Sequence, residues 1–259
     1  MADFLDVLAR DAKETIRSGY YEVITQAEIA PISLRKAILK SQTIPVITEI
    51  KSASPSAGII RKNVKAAKLA EAMAKGGAVG LSVLTEPKHF QGSLNSLAEA
   101  RKAVKLPILM KDIILNPVQV EAASKVGANA ILLIQALFDR EHVDCDIKEM
   151  IKRAHSKNLE VLLETHNESE FRFAVETEAD LVGINNRDLG TLKVDLNVTK
   201  QILENNDAEG KIVVSESGVN TPADLRFLRA CGANAVLIGS AIMQASNVEA
   251  KVKEFVHAP

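Results

Sequence analysis

Tryptophan is absent from this 259-residue sequence, and other aromatic side chains are scarce: seven Phe and two Tyr. A core must therefore be built from Ile, Leu, Val and Ala. Two cysteines, Cys145 and Cys231, are too few for a disulfide framework or a cysteine-rich zinc module. A reducing cytoplasm is the expected setting. No apolar run approaches the ~18 residues of a membrane helix, and the N-terminus is charged from Asp3 onward without an apolar signal core. Neither charge dominates, with 32 Lys plus Arg against 33 Asp plus Glu. That balance leaves no electrostatic footprint for nucleic acid or an anionic membrane surface. His89, His142, His155, His166 and His257 are scattered without paired ligand spacing, so no metal site is expected. Cys145 has no evident activating neighbour, and Cys231 reads as a buried helix residue.

What the chain does have is a recurring alternation. Short, nearly continuous apolar runs lie at residues 45–50, 79–84, 107–110, 130–134, 160–163, 181–184, 211–214 and 235–238. Each is too short for a helix and reads as a parallel strand buried on both faces. Helix-forming segments fill the intervals, at 64–75, 93–104, 117–126, 147–157, 168–176, 196–205 and 222–230. Asn116-Pro117 and Thr221-Pro222 read as N-caps followed by a first-turn proline, and Gly77, Gly127 and Gly232 as glycines just past helix ends. Eight such units predict a (β/α)₈ barrel in one domain spanning residues 1–259. A doubly wound open sheet is the alternative, disfavoured because no Gly-x-Gly-x-x-Gly follows the first strand. Residues 1–44 precede that strand. Phe4, Leu8, Ala12 and Ile16 share a helical face, so a helical extension packed on the barrel is expected. The stretch Gly127-Ala128-Asn129-Ala130 nearly repeats as Gly232-Ala233-Asn234-Ala235. Either an internal twofold repeat or the ordinary chemistry of a tight loop explains it.

Barrel enzymes work at the C-terminal ends of their strands. There the first strand carries Glu49 and Lys51, the third Lys111 and Asp112, the fifth Glu164 and the seventh Glu216; even strands add Ser82 and Asn185. Any one of these could be an ordinary solvated charge. Side chains of alternate strands share a layer of the interior, however, so the set is expected to converge. Ionised groups inside an apolar barrel must pair, and such networks carry acid–base work. Ser217-Gly218 and Gly239-Ser240, after the seventh and eighth strands, suggest a phosphate site. The Ser-, Gly- and Pro-bearing segment 51–63 reads as a mobile active-site loop.

At these residues the sequence resembles the indole-3-glycerol-phosphate synthase family over almost the whole chain. The resemblance rests on Glu49-Ile50-Lys51 with Ser54-Pro55-Ser56, Ser82-Val83-Leu84-Thr85, Phe90-Gln91-Gly92-Ser93 and Leu109-Met110-Lys111-Asp112. It continues through Leu132-Leu133-Ile134, Gly183-Ile184-Asn185-Asn186-Arg187-Asp188-Leu189, Ser215-Glu216-Ser217-Gly218 and Ile238-Gly239-Ser240-Ala241-Ile242-Met243. It implies ring closure of 1-(2-carboxyphenylamino)-1-deoxyribulose 5-phosphate, with loss of carbon dioxide and then water and with no cofactor. It implies Lys111 as general acid, Glu164 as base, and Lys51 as carboxylate ligand or second acid. Glu49 and Glu216 would hold lysines and substrate hydroxyls, with Asn185 on the reacting hydroxyl or carboxylate and Arg187 assisting anion binding. Ser217, Gly218, Gly239 and Ser240 would take the phosphate. Phe90, Leu132 and Ile134 would line the anthranilate pocket, with Ser54 and Ser56 also on the substrate. Apolar walls are expected to lower the pKa of Lys111, and partial burial to raise that of Glu164. Ile113 stands where the family often has Phe. Expected partners are a phosphorylated small molecule, no nucleic acid and no membrane; the chain is expected as a monomer or weak homodimer. A phosphoribosylanthranilate isomerase-like barrel and a non-catalytic phosphate-ligand-binding barrel are the alternatives.

Overall fold

The computed structural model describes residues 3–23 and 32–258. Eight parallel strands close into a barrel: β1 (Val46–Ile50), β2 (Gly80–Leu84), β3 (Ile108–Lys111), β4 (Ala130–Ile134), β5 (Glu160–Thr165), β6 (Leu181–Asn185), β7 (Ile212–Glu216) and β8 (Ala235–Ile238). Each pairs with its neighbours in sequence, and β8 returns to β1 with Thr48 opposite Ile238. The expected (β/α)₈ architecture is observed, with strand bounds within two residues of those read from the apolar runs.

Alternation along the strands sorts the core into two shells. Ile47, Leu109, Leu132, Leu162, Leu181, Val214 and Leu237 fill the interior. Their neighbours Val46, Met110, Leu133, Val161, Val182, Val213 and Val236 face the surrounding helices. A strand has a side-chain period of two, so Glu49 shares the inward face with Ile47, Lys111 with Leu109, Glu164 with Leu162, and Glu216 with Val214. The polar residues at the strand ends thus point inward by the parity of the apolar residues beneath them.

The helices begin and end where the local chemistry places them. Asn116 and Thr221 each form a reciprocal capping box, with Gln119 and Asp224, and each is followed by a proline. Gly127 and Gly232 adopt φ of 94° and 107°, a left-handed backbone that costs glycine nothing. The near-repeat after them has a loop-level explanation. Asn129 Oδ1 accepts from Ile108 N at 3.1 Å and Asn234 Oδ1 from Val213 N at 2.7 Å, tying each even strand to the preceding odd one. Asp180 serves Val161 N in the same way at 2.8 Å. The device recurs at β3–β4, β5–β6 and β7–β8, which favours tight-loop chemistry over a twofold repeat.

The extension reaches both ends of the barrel. The Phe4–Arg17 helix buries Leu5, Leu8, Ala9, Ala12 and Thr15, one residue round from the expected face, so Phe4 and Ile16 are only half-buried. Its Asp3 and Asp6 pair with Arg140 at 2.7 and 3.1 Å. The Leu34–Lys40 helix sits at the opposite end, where Glu160 accepts from Leu34 N at 2.7 Å and Arg35 N at 3.1 Å, and fully buried Leu34 enters the interior shell. Residues 1–2 and 24–31 of the expected extension lie outside the described residues. Helices at Gln135–Asp139 and Val248–Val256 were not foreseen from the sequence. Cys231 caps the Pro222–Ala230 helix and is half-buried rather than buried. Among the described residues, no helix is long and apolar enough to cross a membrane.

Candidate active site

A cavity of about 240 Å³ opens at the C-terminal end of the strands, and every residue predicted for the site lines it except Ser82, which is fully buried against Glu49. Deepest is an ion network. Lys111 Nζ, at the end of β3, sits 2.9 Å from Glu164 Oε2 on β5 and 2.8 Å from Glu216 Oε2 on β7. Lys51 Nζ lies 2.8 Å from Glu49 Oε1, whose second oxygen accepts from Ser82 Oγ at 3.3 Å. Asn185 Nδ2 donates to Glu164 Oε1 at 3.1 Å, and Asn185 Oδ1 accepts from Arg187 N at 3.0 Å. Arg187 is half-buried and its guanidinium donates to Leu192 O at 2.8 Å, bracing the loop after β6.

Two glycines make room for these carboxylates. A Cβ on Gly183, on β6, would stand 2.4 Å from Glu216 Oε1. One on Gly239, after β8, would stand 2.6 Å from Glu49 Oε1 and 3.2 Å from Lys51 Nζ. Glycine lets a neighbouring group approach the backbone this closely.

The electrostatics overturn the direction expected for Lys111 and Glu164. Burial alone would lower the Lys111 ammonium, but the carboxylates of Glu164, Glu216 and Glu49 outweigh it and hold Lys111 above the ordinary lysine range. Burial alone would raise Glu164; Lys111 and His166 reverse this and hold it below the usual carboxylate range. Glu216 behaves as expected of a buried acid: burial, with Glu164 beside it, pushes it up to about 7 despite Lys111. Its Oε1 is buried with no hydrogen-bond partner. The physical error in the expectation was to treat the walls as apolar when two carboxylates touch the amine.

Around the network the cavity divides. On one side Phe90, Leu132, Ile134 and Ile113 form an apolar wall, joined by Phe4, Leu5 and Leu8 of the N-terminal helix. On the other lie Ser217, Gly218, Gly239 and Ser240. Ser217 and Gly218 have φ of 65° and 95°, successive left-handed residues that turn the backbone sharply after β7. Ser240–Met243 forms a single helical turn after β8. The loop 51–63 carries a small antiparallel ladder, with Ala53 opposite Ile59 and Ser54 opposite Gly58. Among the described residues no group of three or more His, Cys, Asp or Glu side chains is arranged to hold a metal ion.

Residues outside the predicted set also shape the site. Asn186, almost fully buried, donates to Ser215 Oγ, Glu216 O and Ser217 O at 3.0 to 3.1 Å and accepts from Thr199 Oγ1 at 2.8 Å, fixing the turn that carries Ser217. Asp112 accepts from Tyr21 Oη at 2.9 Å and from Thr85 Oγ1 at 2.5 Å, joining the extension to the residue after Lys111. His166 stands beside Glu164. A search for paired metal spacing passes over such a histidine; its place two residues past Glu164 was the available signal.

An ammonium clasped by two buried carboxylates, set in a cavity at the mouth of a closed barrel, gives the fold and site of a (β/α)₈-barrel enzyme. The indole-3-glycerol phosphate synthase family model matches residues 7–255. The chain is 45 % identical over 229 residues to indole-3-glycerol phosphate synthase of Methanocaldococcus jannaschii, covering 87 % of this chain and 83 % of that protein. It is 37 % identical over 255 residues to that of Carboxydothermus hydrogenoformans, covering 93 % and 95 %. The chain belongs to the indole-3-glycerol phosphate synthase family, decarboxylating lyases of tryptophan biosynthesis. Among solved structures, thiamine phosphate pyrophosphorylase from Pyrococcus furiosus superposes with a TM-score of 0.61 at 18 % identity, covering 86 % of this chain and 96 % of that one; this likeness concerns the fold.

Proposed function

We propose that this cavity closes the indole ring of 1-(2-carboxyphenylamino)-1-deoxyribulose 5-phosphate by proton transfer from Lys111 and to Glu164. The observation that carries the reading is the placement of Lys111 Nζ between Glu164 and Glu216, 2.9 and 2.8 Å away. The anthranilate ring fits the wall of Phe90, Leu132, Ile134 and Ile113. The phosphate fits the small-residue turns at Ser217-Gly218 and Gly239-Ser240. Ser54 and Ser56 flank the substrate from the loop after β1.

As the aromatic carbon attacks the ketone carbon, the carbonyl π pair moves to oxygen. That oxygen becomes an alkoxide, a stronger base than either carboxylate on Lys111, and takes the ammonium proton. The ring carbon then loses its carboxyl group as carbon dioxide, which returns the bonding pair to the ring. Dehydration follows: a proton passes from the methylene carbon beside the nitrogen to the ionised Glu164, while the new hydroxyl takes a proton from Lys51, the second acid, and departs as water. Asn185 and Glu216 orient the reacting groups. Lys51, held by Glu49, meets the substrate carboxylate, and Arg187 supports anion binding at the rim. No cofactor enters these steps. The chain acts as one barrel domain, with the Phe4–Arg17 and Leu34–Lys40 helices as its extension. A monomer or weak homodimer is part of the same reading, as is a cytoplasmic setting, which the two free thiols support.

Lys111→Met and Glu164→Gln should each lower turnover at least ~100-fold with the fold retained, the usual scale for acid–base groups. Indole-product fluorescence on purified variants, with phosphoribosylanthranilate as control substrate, measures this. Near-normal turnover in either variant rejects its role.

A further inference from the structure

Glu164 commits Oε2 to Lys111. Its Oε1 accepts from Asn185 and faces His166 Nε2 at 3.3 Å, a contact not aligned as a hydrogen bond. That ring nitrogen is buried and otherwise unpartnered. The other nitrogen, Nδ1, lies 3.3 Å from Glu170 Oε2, in the first turn of the Glu168–Glu176 helix. Glu170 also accepts the backbone N–H of His166 at 2.8 Å. Thus β5 and the following helix each present a carboxylate to one ring. Asp188, on the loop after β6, adds a third acid within the reach of the His166 field. Lys111 and Glu216 stand on the far side of Glu164.

We propose that His166, held as an imidazolium by Glu170, is a positioning residue that keeps Glu164 ionised and oriented while Lys111 gives its proton to the substrate. This rests on the reading of Glu164 as base. In the resting site Lys111 neutralises Glu164. Once the ammonium proton has passed to the substrate oxygen, Lys111 is a neutral amine and that counter-charge is gone. Burial then favours the protonated carboxyl, and the Glu216 carboxylate nearby adds repulsion. The base would be lost at the stage that needs it. A second cation on Oε1, independent of the lysine, prevents this. The ring can carry that charge at neutral pH: burial opposes it, but Glu164 and Glu170 overcome burial and raise His166 to about 9. The misaligned 3.3 Å contact becomes a hydrogen bond with a small turn of the ring, which the departure of the lysine charge favours.

Two measurements test the inference. The first is the pH profile of kcat for His166→Gln, which keeps an N–H donor and removes the charge. We expect kcat to fall at least ~10-fold, KM to change less than ~2-fold, and the acid limb to move up by about one pH unit, the scale set by an adjacent opposite charge. The second is an NMR titration of the His166 ring in the unmodified protein and in Glu170→Gln. Its midpoint should lie well above the ordinary ~6.5 and drop when Glu170 is neutralised. A purely structural histidine moves neither the limb nor the midpoint with its charge partners. An unmoved acid limb, or a ring titrating at ~6.5 or below, overturns the proposal. Should His166→Gln fail to fold, the titration decides it. If Glu164→Gln is inactive while the His166→Gln limb stays put, only this inference falls; an active Glu164→Gln ends the reading of Glu164 as base as well.

Discussion

Gly183→Ala offers a way to disturb the chemistry while sparing the fold. Gly183 lies on β6, paired with Glu164 on one side and Val214 on the other. A methyl group there meets two kinds of neighbour. The backbone contact, Glu164 Cα at 3.4 Å, is ordinary van der Waals distance, whereas Glu216 Oε1 would be 2.4 Å away. The carboxylate must therefore withdraw by about 1 Å to reach normal contact. Nothing anchors Oε1, which has no hydrogen-bond partner, so the end of a flexible side chain is what yields. The 2.8 Å bond from Lys111 Nζ to Glu216 Oε2 is lost in that movement. A charge-assisted hydrogen bond contributes ~1.5–3 kcal/mol, or a ~10- to 100-fold change, and a ~1 Å misplacement of a reacting group costs up to ~100-fold. We therefore expect kcat to fall ~10- to 100-fold. Thermal stability should fall only modestly, by ~0.5–2.5 kcal/mol, because the lost hydrogen bond is partly offset by the ~0.4–1 kcal/mol that alanine contributes by restricting the unfolded chain. Gly190→Ala is the control: its nearest neighbour would be Asp188 Oδ1 at 3.5 Å, and turnover should stay within ~2-fold. Product fluorescence and a circular-dichroism melt on the same preparations give both quantities. A Gly183→Ala enzyme with kcat within ~3-fold of normal would show that Glu216 need not stand where it does. A large fall in the melting midpoint would show that the sheet gives way, not the carboxylate.

Ser240→Asp places a carboxylate at the start of the helical turn after β8, where repulsion of the phosphate should raise KM at least ~10-fold while kcat changes little; an unchanged KM removes the phosphate site. Asp112→Asn tests the buried acid beside Lys111. Burial raises Asp112 to about 6, against the hydrogen bonds from Thr85, Tyr21 and Ile113 N. Its raised value means that its stabilising contribution is complete below the ordinary ~3.8 and is lost as pH rises through about 6, up to ~3 kcal/mol. The uncharged variant should lack that decline, so melting midpoints of the two proteins compared from pH 4 to 7 should diverge in slope; parallel curves refute it.

Much of the fold was legible because the barrel repeats one physical pattern. A strand buried on both faces needs an unbroken apolar run, and 130–134 and 235–238 were read to the residue. Capping residues did the same for helix starts at Pro117 and Pro222. What escaped were elements decided by tertiary contact. The Leu34–Lys40 helix depends on the Glu160 carboxylate for its N-terminal amides, a partner 126 residues away in the case of Leu34. The face of the first helix was displaced by one residue because Leu5 and Ala9 meet the barrel mouth, which no periodicity within the helix reveals.

The site was legible in its membership and opaque in its energetics, for one reason. Parity along a strand tells which side chains enter the barrel, so Glu49, Lys111, Glu164 and Glu216 could be placed together before any coordinates. Parity does not tell which of them touch. Whether Lys111 is a depressed amine or a raised ammonium turns on the approach of Glu164 at 2.9 Å and Glu216 at 2.8 Å, and the place of Glu216 exists because Gly183, on the neighbouring strand, has no side chain to obstruct it. The role of this glycine shows only once the carboxylate beside it is placed. His166 escaped for the complementary reason. Tested as a metal ligand it had no partner at the right spacing, yet its partners are acids, and the nearer two are within four residues in sequence. In a barrel of this kind the residues that set pKa values are to be sought among the small and the seemingly idle groups flanking each inward charge.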